Sequence, residues 1–308
     1  MKDYKLTVDD INTGARRVLV QAYATSTSSA NPEIIFITGG AGSGKTSIEK
    51  FVRDEYRENN EKPFIVGADM IAEFHPKYEE ILEEIPDANV RFKLTREFVR
   101  PATSQIFSGL FRNKICIINE KSLNKGQDDI NLAKDAREEG YRIRIAIMAT
   151  DLYESRLSCL ERDARELMLG KNPRGASREN QLRMYNSFVT GIKGLQQEKL
   201  VDEIQVFRRG KTISNPPEII YSLMNSASSQ FPNFESALYH EREEQRQALF
   251  DNSELYFSRL NEVRKTFMKL SEGERLRIAL DEIKMLEGEF RKELNERKQH
   301  NTITDEAR

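Results

Sequence analysis

Apolar positions along the chain change their period several times, and each change marks an element. In residues 7–25, TVDDINTGARRVLVQAYAT, Ile11, Ala15, Val18, Leu19 and Ala22 fall on one stripe and predict an amphipathic helix. After a Ser/Thr-rich linker, residues 33–38 (EIIFIT) form an unbroken apolar run ending at Gly39, as a strand buried on both faces does. A helix is expected at 45–60, a second strand at 63–69 (PFIVGAD), and helices over 76–112, broken near IPDAN. A third strand is expected at 114–119 (KICIIN), with Gly126 in the loop after it. A helix at 128–139, a fourth strand at 141–149 (YRIRIAIMA), helices at 151–169 and 177–196 and a last strand at 203–209 (EIQVFRR) complete the series. Strands alternating with helices predict an α/β fold, a parallel sheet with helices on both faces.

Beyond SNPPE (214–218) the strand signal stops, and a helix is expected at 218–229 and another at 233–251. Tyr256, Leu260, Val263, Phe267 and Leu270 recur at heptad spacing. Ser271 and Glu274 form an S-x-x-E capping box opening a last helix, with Leu276, Leu280, Ile283, Phe290 and Leu294 on one face. The organisation expected is an N-terminal helix and linker (1–29), a sheet domain (30–214) and an all-helical C-terminal extension (215–308) that packs on the sheet domain or on itself.

Composition narrows the class. Of 308 residues, 38% are hydrophobic and 32% charged, and 48 basic against 50 acidic side chains leave a net charge of −2. That balance carries no electrostatic footprint for nucleic acid. No apolar run approaches the roughly 18 residues that cross a bilayer, and the start MKDYKLTVDD lacks a signal peptide's apolar segment, so a cytoplasmic protein with no membrane partner is expected. The two cysteines, Cys116 and Cys159, sit in apolar patterns and read as reduced, buried thiols. The three histidines, at 75, 240 and 300, suggest no metal site.

One stretch carries chemistry. Gly39-x4-Gly44-Lys45-Thr46 satisfies G-x-x-x-x-G-K-[ST], after an apolar strand and before a helix. In such a loop the backbone N–H groups of Gly39, Gly40, Ala41, Gly42, Ser43, Gly44, Lys45, Thr46 and Ser47, backed by a helix N-terminus, cradle phosphates. Lys45 would reach the β- and γ-phosphates of a nucleoside triphosphate, and the Thr46 hydroxyl would ligate Mg²⁺. The dinucleotide fingerprint fails, because after Gly40 and Gly42 its third glycine falls on Lys45. Ligands of open α/β sheets bind beyond the strands' carboxyl ends. Asp69 is expected there, on the strand adjoining the loop, as a proton acceptor or a helix cap, and Glu120 ends the third strand. Arg156, Arg162 and Arg165, then Lys171, Arg174 and Arg178, offer clamps for a transferring phosphoryl group or, for most of the six, a solvated basic face.

From IIFITGGAGSGKTSI to IQVFRRG the chain resembles the zeta-toxin family of UDP-N-acetylglucosamine kinases. The resemblance is carried by GGAGSGKTS, by IVGADMIAEFHPKYEEI with Asp69 and His75-Pro76, by ICIINEKS, and by GYRIRIAIMATDLYESRLSCLERDARE followed by NPRGAS. It implies a P-loop kinase-like fold in which Lys45 and Thr46 bind ATP and Mg²⁺. It makes Asp69 the base for the 3′-hydroxyl of the sugar, Arg162 and Arg174 the residues that stabilise the transferred phosphoryl group, and Glu120 with Ser122 contacts to the sugar. It also implies a small helical antitoxin docking on the N-terminal helix. The chain departs from the family at Gly67 and Ser104, each standing where the family carries an acid, and in KSLNKG after Glu120. The same loop would also suit a phosphotransferase for an antibiotic or nucleoside, or a nucleotide-gated binding protein. Removing 215–308 is expected to leave a kinase partly active. With no Trp and no basic aromatic cluster, a polynucleotide kinase is disfavoured.

Overall fold

The apolar run at the first strand lies at the centre of a six-stranded sheet. In the computed structural model, which describes residues 4–124, 126–171, 173, 175, 178–210, 215–224 and 230–306, the strands are β1 (Glu33–Thr38), β2 (Phe64–Gly67), β3 (Ile117–Glu120), β4 (Arg142–Ala149), β5 (Glu203–Arg208) and β6 (Glu218–Ser222). Their spatial order is β2-β3-β1-β4-β5-β6. The first five are mutually parallel, which explains why β1 and β4 are apolar almost throughout: both of their faces are covered.

The helices are α1 (Val8–Thr25), α2 (Lys45–Glu58), α3 (Ala68–Ala72), α4 (Tyr78–Glu84), α5 (Ala88–Arg112), α6 (Gln127–Glu138), α7 (Leu152–Met168), α8 (Arg178–Gln197), α9 (Phe234–Asp251), α10 (Ser253–Leu270) and α11 (Gly273–Glu306). One face of the sheet, through Ile34, Phe36, Ile143 and Ile145, shares a core with α1, α5, α6, α8 and α9. The other, through Ile35, Ile37, Ala146 and Met148, is closed by Ile48 and Val52 of α2. The stripe read from α1 is used internally: Ala15, Val18 and Ala22 are buried in the core that also holds Phe98, Ala102 and Ile106 of α5.

β6 is a correction. A helix was expected at 218–229, but Glu218–Ser222 is an antiparallel strand on the outer side of β5, with an irregularity between Val206 and Phe207. Pro216 and Pro217 disfavour a helical approach, Ile219, Ile220 and Tyr221 suit a pleated surface, and β5 would otherwise be an open edge. The sheet therefore continues past residue 214, into the segment expected to be wholly helical.

The last helices do pack as expected, and their chief contact is α7. Tyr153, Leu157, Leu160 and Ala164 of α7 share a second core with Phe250, Tyr256, Leu260, Val263, Phe267, Ile283 and Phe290. The Tyr256 and Phe290 rings stack at 4.0 Å. Leu270, read as part of the heptad stripe, remains exposed. Within the second core Arg156 is fully buried and paired with Glu282 at 2.6 Å and with Glu289. Glu289 also holds Arg178, at the start of α8, at 2.7 Å. Arg156 and Arg178 are thus structural ion-pair partners, and the solvated reading of Arg156 is overturned.

Two outcomes follow from this second core. The sequence expectation that removing 215–308 leaves a kinase partly active is revised by this packing: a chain ending at residue 214 loses β6 and exposes α7's apolar face, so it is expected to lose cooperative thermal unfolding, and a sharp transition from that fragment would contradict the packing described. Burial pushes the Glu289 carboxyl up, but Arg178 and Arg156 outweigh it and hold it below its ordinary 4.5. Its contribution is therefore complete above pH 4.5 and is lost as pH falls through its lowered value. Glu289→Gln is expected to lower the thermal midpoint at pH 7 and to flatten its decline between pH 5 and pH 3.

Candidate active site

Strand β1 ends at Thr38, and the chain then turns through Gly39 (φ 144°), Gly42 (φ 75°) and Gly44 (φ 96°), all in the region that disfavours a side chain. Space matters as much as conformation at Gly42, where a Cβ would meet the Ser155 carbonyl oxygen at 2.3 Å and Cys159 Sγ at 2.8 Å. The start of α7 thus presses directly on the loop. Thr150 Oγ1 donates to the Ser43 carbonyl at 2.8 Å, and the Ser155 hydroxyl donates to the Ala41 carbonyl. Gly40 and Ser43, within the loop, are buried. Ser47 is occupied locally, its Oγ donating to the Gly44 carbonyl at 2.7 Å.

Lys45 and Thr46 open α2, so their backbone N–H groups have no intrahelical partner to bond. The Lys45 ammonium is 10% exposed and donates to the carbonyl of Gly40 at 2.8 Å, and it lies 3.3 Å from Glu120 Oε1. Glu120 is the last residue of β3. Its backbone neighbours are Ile37 on β1 and Gly67 on β2, so it stands between the loop and the chain that leads to Asp69. Asp69 was expected on the strand adjoining the loop; β3 intervenes, and Asp69 lies in the first turn of α3. It does not cap that helix, since the N-cap position is Gly67.

Asp69, Glu120, Lys45, Thr46, Ser104, Ser122 and Arg162 all line one open cleft of about 2860 Å³. The Ser122 hydroxyl is bonded to Asn124 Oδ1 at 2.9 Å. Arg162 pairs with Asp163 at 3.1 Å, which outweighs burial and keeps its guanidinium firmly charged. Arg174 lies outside the described residues. His75 is a structural residue: it is buried, its Nδ1 accepts from the Lys77 amide at 3.0 Å, and burial lowers its pKa. Both cysteines are free and buried, and burial pushes the Cys159 thiol up to about 11, which leaves it unreactive.

A group that the motifs did not flag sits on the opposite side of the loop. Arg209, directly after β5, comes so close to Gly44 that a Cβ there would lie 2.9 Å from its Nε. Glu154 of α7 accepts from Arg209 at 3.0 Å and from Arg259 of α10 at 2.7 Å. Burial pushes the Glu154 carboxyl up, but its arginine partners outweigh it and hold it low. The signal in the sequence was the RRG that closes the last parallel strand; its partners are too distant in the chain to read.

The site's architecture can be compared with known proteins. A zeta-toxin family model matches residues 18–215. The chain belongs to the zeta-toxin family. Among curated relatives of this zeta-toxin family member, Toxin PezT of Streptococcus pneumoniae serotype 4 is 24% identical over 186 residues, covering 60% of this chain and 72% of its own. Among solved structures, the PezAT chromosomal toxin–antitoxin system of Streptococcus pneumoniae superposes with a TM-score of 0.64 at 20% identity, covering 85% of this chain and 99% of that one. AvrRxo1-ORF1:AvrRxo1-ORF2 with ATP superposes with a TM-score of 0.56 at 14% identity, covering 89% and 90%. These likenesses establish a P-loop kinase-like fold. The matched family region ends before β6, so the last three helices lie outside it, whereas the likeness to the PezAT structure, spanning 85% of this chain, reaches beyond it.

The tight contact at Gly42 gives a direct test. Gly42→Ala is expected to displace the loop and weaken ATP binding at least about tenfold, measured by equilibrium dialysis. Unchanged affinity would show that the loop does not need its contact with Ser155.

Proposed function

We propose that this zeta-toxin family member is an ATP-dependent kinase that phosphorylates a sugar hydroxyl of a UDP-sugar, with UDP-N-acetylglucosamine the first candidate. We further infer that it acts in the cytoplasm as the toxin of a toxin–antitoxin pair. The observation that carries the reading is the row formed by the glycine loop, Lys45, Glu120 and Asp69 along one cleft. The loop amides hold the triphosphate and the Lys45 ammonium lies against its β- and γ-phosphates. Asp69 takes the proton of the acceptor hydroxyl as its oxygen attacks the γ-phosphorus. The bond to the β–γ bridging oxygen breaks, and that oxygen leaves with ADP. Arg162, with Arg174, stabilises the charge spread over the transferred group.

The donor set also suits Mg²⁺, a hard cation that takes oxygen ligands: the Thr46 hydroxyl and the Glu120 carboxylate line the same cleft beside the loop. When bound, the ion neutralises phosphate charge. On the acceptor side Ser104 and Ser122 line the cleft, and Gly67 adds no acid. These differences from the family bear on which UDP-sugar is taken and leave the phosphoryl-transfer groups in place.

An antitoxin partner is supported by the two-component complexes among the structural relatives. Because the inner stripe of α1 is spent on α5, docking on α1 would use its outer face, where Val8 is 74% and Val20 62% exposed.

Incubation with ATP, Mg²⁺ and UDP-N-acetylglucosamine is expected to add one phosphoryl group, about 80 Da, to the nucleotide sugar. Asp69→Asn should cut the rate by about 10² or more while leaving ATP binding intact. No product across a panel of UDP-sugars, or full activity in the Asn variant, would overturn the reading.

A further inference from the structure

The order of the strands divides the cleft into two halves. Glu120 and Asp69, on β3 and beyond β2, lie on one side of the phosphate loop, while β4 and β5 lie on the other. Since Lys45 is drawn to Glu120, the terminal phosphate of a donor belongs on the first side. The nucleoside end must then leave the loop towards β5. The cleft is lined there by Arg209, Gly210 and Pro216 beyond β5, and its lining also includes Leu249, Leu255 and Arg259 of α9 and α10, with Arg259 joined to Arg209 through Glu154.

We propose that the C-terminal helices build the nucleoside subsite of the donor, and that Arg259 is a positioning residue for a second phosphate-binding cation, Arg209. This rests on the kinase reading and extends it to helices outside the family match. The geometry supports both parts. Leu255 lines the cleft and is 63% exposed although its neighbour Tyr256 is buried in the second core, so α10 turns one face to α7 and presents an apolar side chain to the cleft. An apolar wall of this kind suits the flat face of a purine.

Arg259 donates to both carboxylate oxygens of Glu154, at 2.7 and 3.0 Å, and to Glu161 at 2.8 and 2.9 Å. Glu154 in turn accepts from Arg209 NH1, which leaves the Nε and NH2 edge of Arg209 turned to Gly44. The guanidinium is thus fixed at the mouth of the amide cradle by a carboxylate that α10 holds still. The fork geometry suits bidentate contact with a phosphate. The tail of this chain is therefore a part of the donor site, in addition to a brace for α7.

The test compares ATP with inorganic tripolyphosphate, which has the phosphates without the nucleoside, by equilibrium dialysis on the full chain. Leu255→Ser is expected to weaken ATP about tenfold and to leave tripolyphosphate within about twofold. Arg259→Ala is expected to weaken both ligands about tenfold or more, because Arg209 is released, and to raise the KM for ATP with little change in kcat. ATP affinity unchanged in Leu255→Ser overturns the subsite. Tripolyphosphate affinity unchanged in Arg259→Ala overturns the positioning role. Wild-type protein that binds neither ligand would overturn the phosphate-loop reading itself, an outcome distinct from the other two. Circular dichroism melts of the variants separate these losses from unfolding.

Discussion

A single close approach organises this molecule: the backbone of α7 at Ser155 lies where a side chain on Gly42 would have to be. Because Gly42 has none, the phosphate loop rests on α7 and inherits its position from it. α7 in turn is held by the last two helices, with Arg156 sealed in the second core by Glu282 and Glu289. A buried guanidinium is costly to hold unless its partners are in place, so the carboxylates of α11 fix the register of the tail on α7. The geometry of the loop is therefore set partly by residues more than a hundred positions away.

The electrostatics along the cleft follow from strand order. Five parallel strands end on one side, and the carboxyl ends of β2, β3 and β1 bring Asp69, Glu120 and the loop into a row. The acid paired with Lys45 is Glu120, on β3, and Asp69 follows β2, one strand further out along the same cleft. The cleft's cations include two arginines, Arg162 and Arg209, each paired with a carboxylate of α7. Phosphoryl transfer needs both signs in these places: anionic groups to take a proton, and cations to hold the phosphate chain.

Much of this was legible in the sequence because it is local. The G-x-x-x-x-G-K-[ST] spacing, the apolar β1 and β4 and the stripe of α1 each depend on neighbours a few residues apart. What was missed is long-range. Glu218–Ser222 pairs with a strand whose free edge the sequence does not display, so EIIYS read as the start of a helix. The insertion of β3 between β1 and β2 is a matter of topology, and it moved Asp69 off the adjoining strand. Arg156 and Arg178 looked like members of a basic face until Glu289, far along the chain, was found between them. The Glu154–Arg209 contact spans 55 positions and has no local signature.

The account stands on where the Asp69 carboxylate lies once both substrates are bound. A crystal structure of the protein with a non-hydrolysable ATP analogue, Mg²⁺ and the UDP-sugar measures it. The account predicts the triphosphate on the loop amides, and a sugar hydroxyl within hydrogen-bond reach of Asp69 (about 2.6–3.2 Å) and facing the γ-phosphorus. A sugar bound elsewhere, or an Asp69 side chain turned away from the gap between the two ligands, would contradict it.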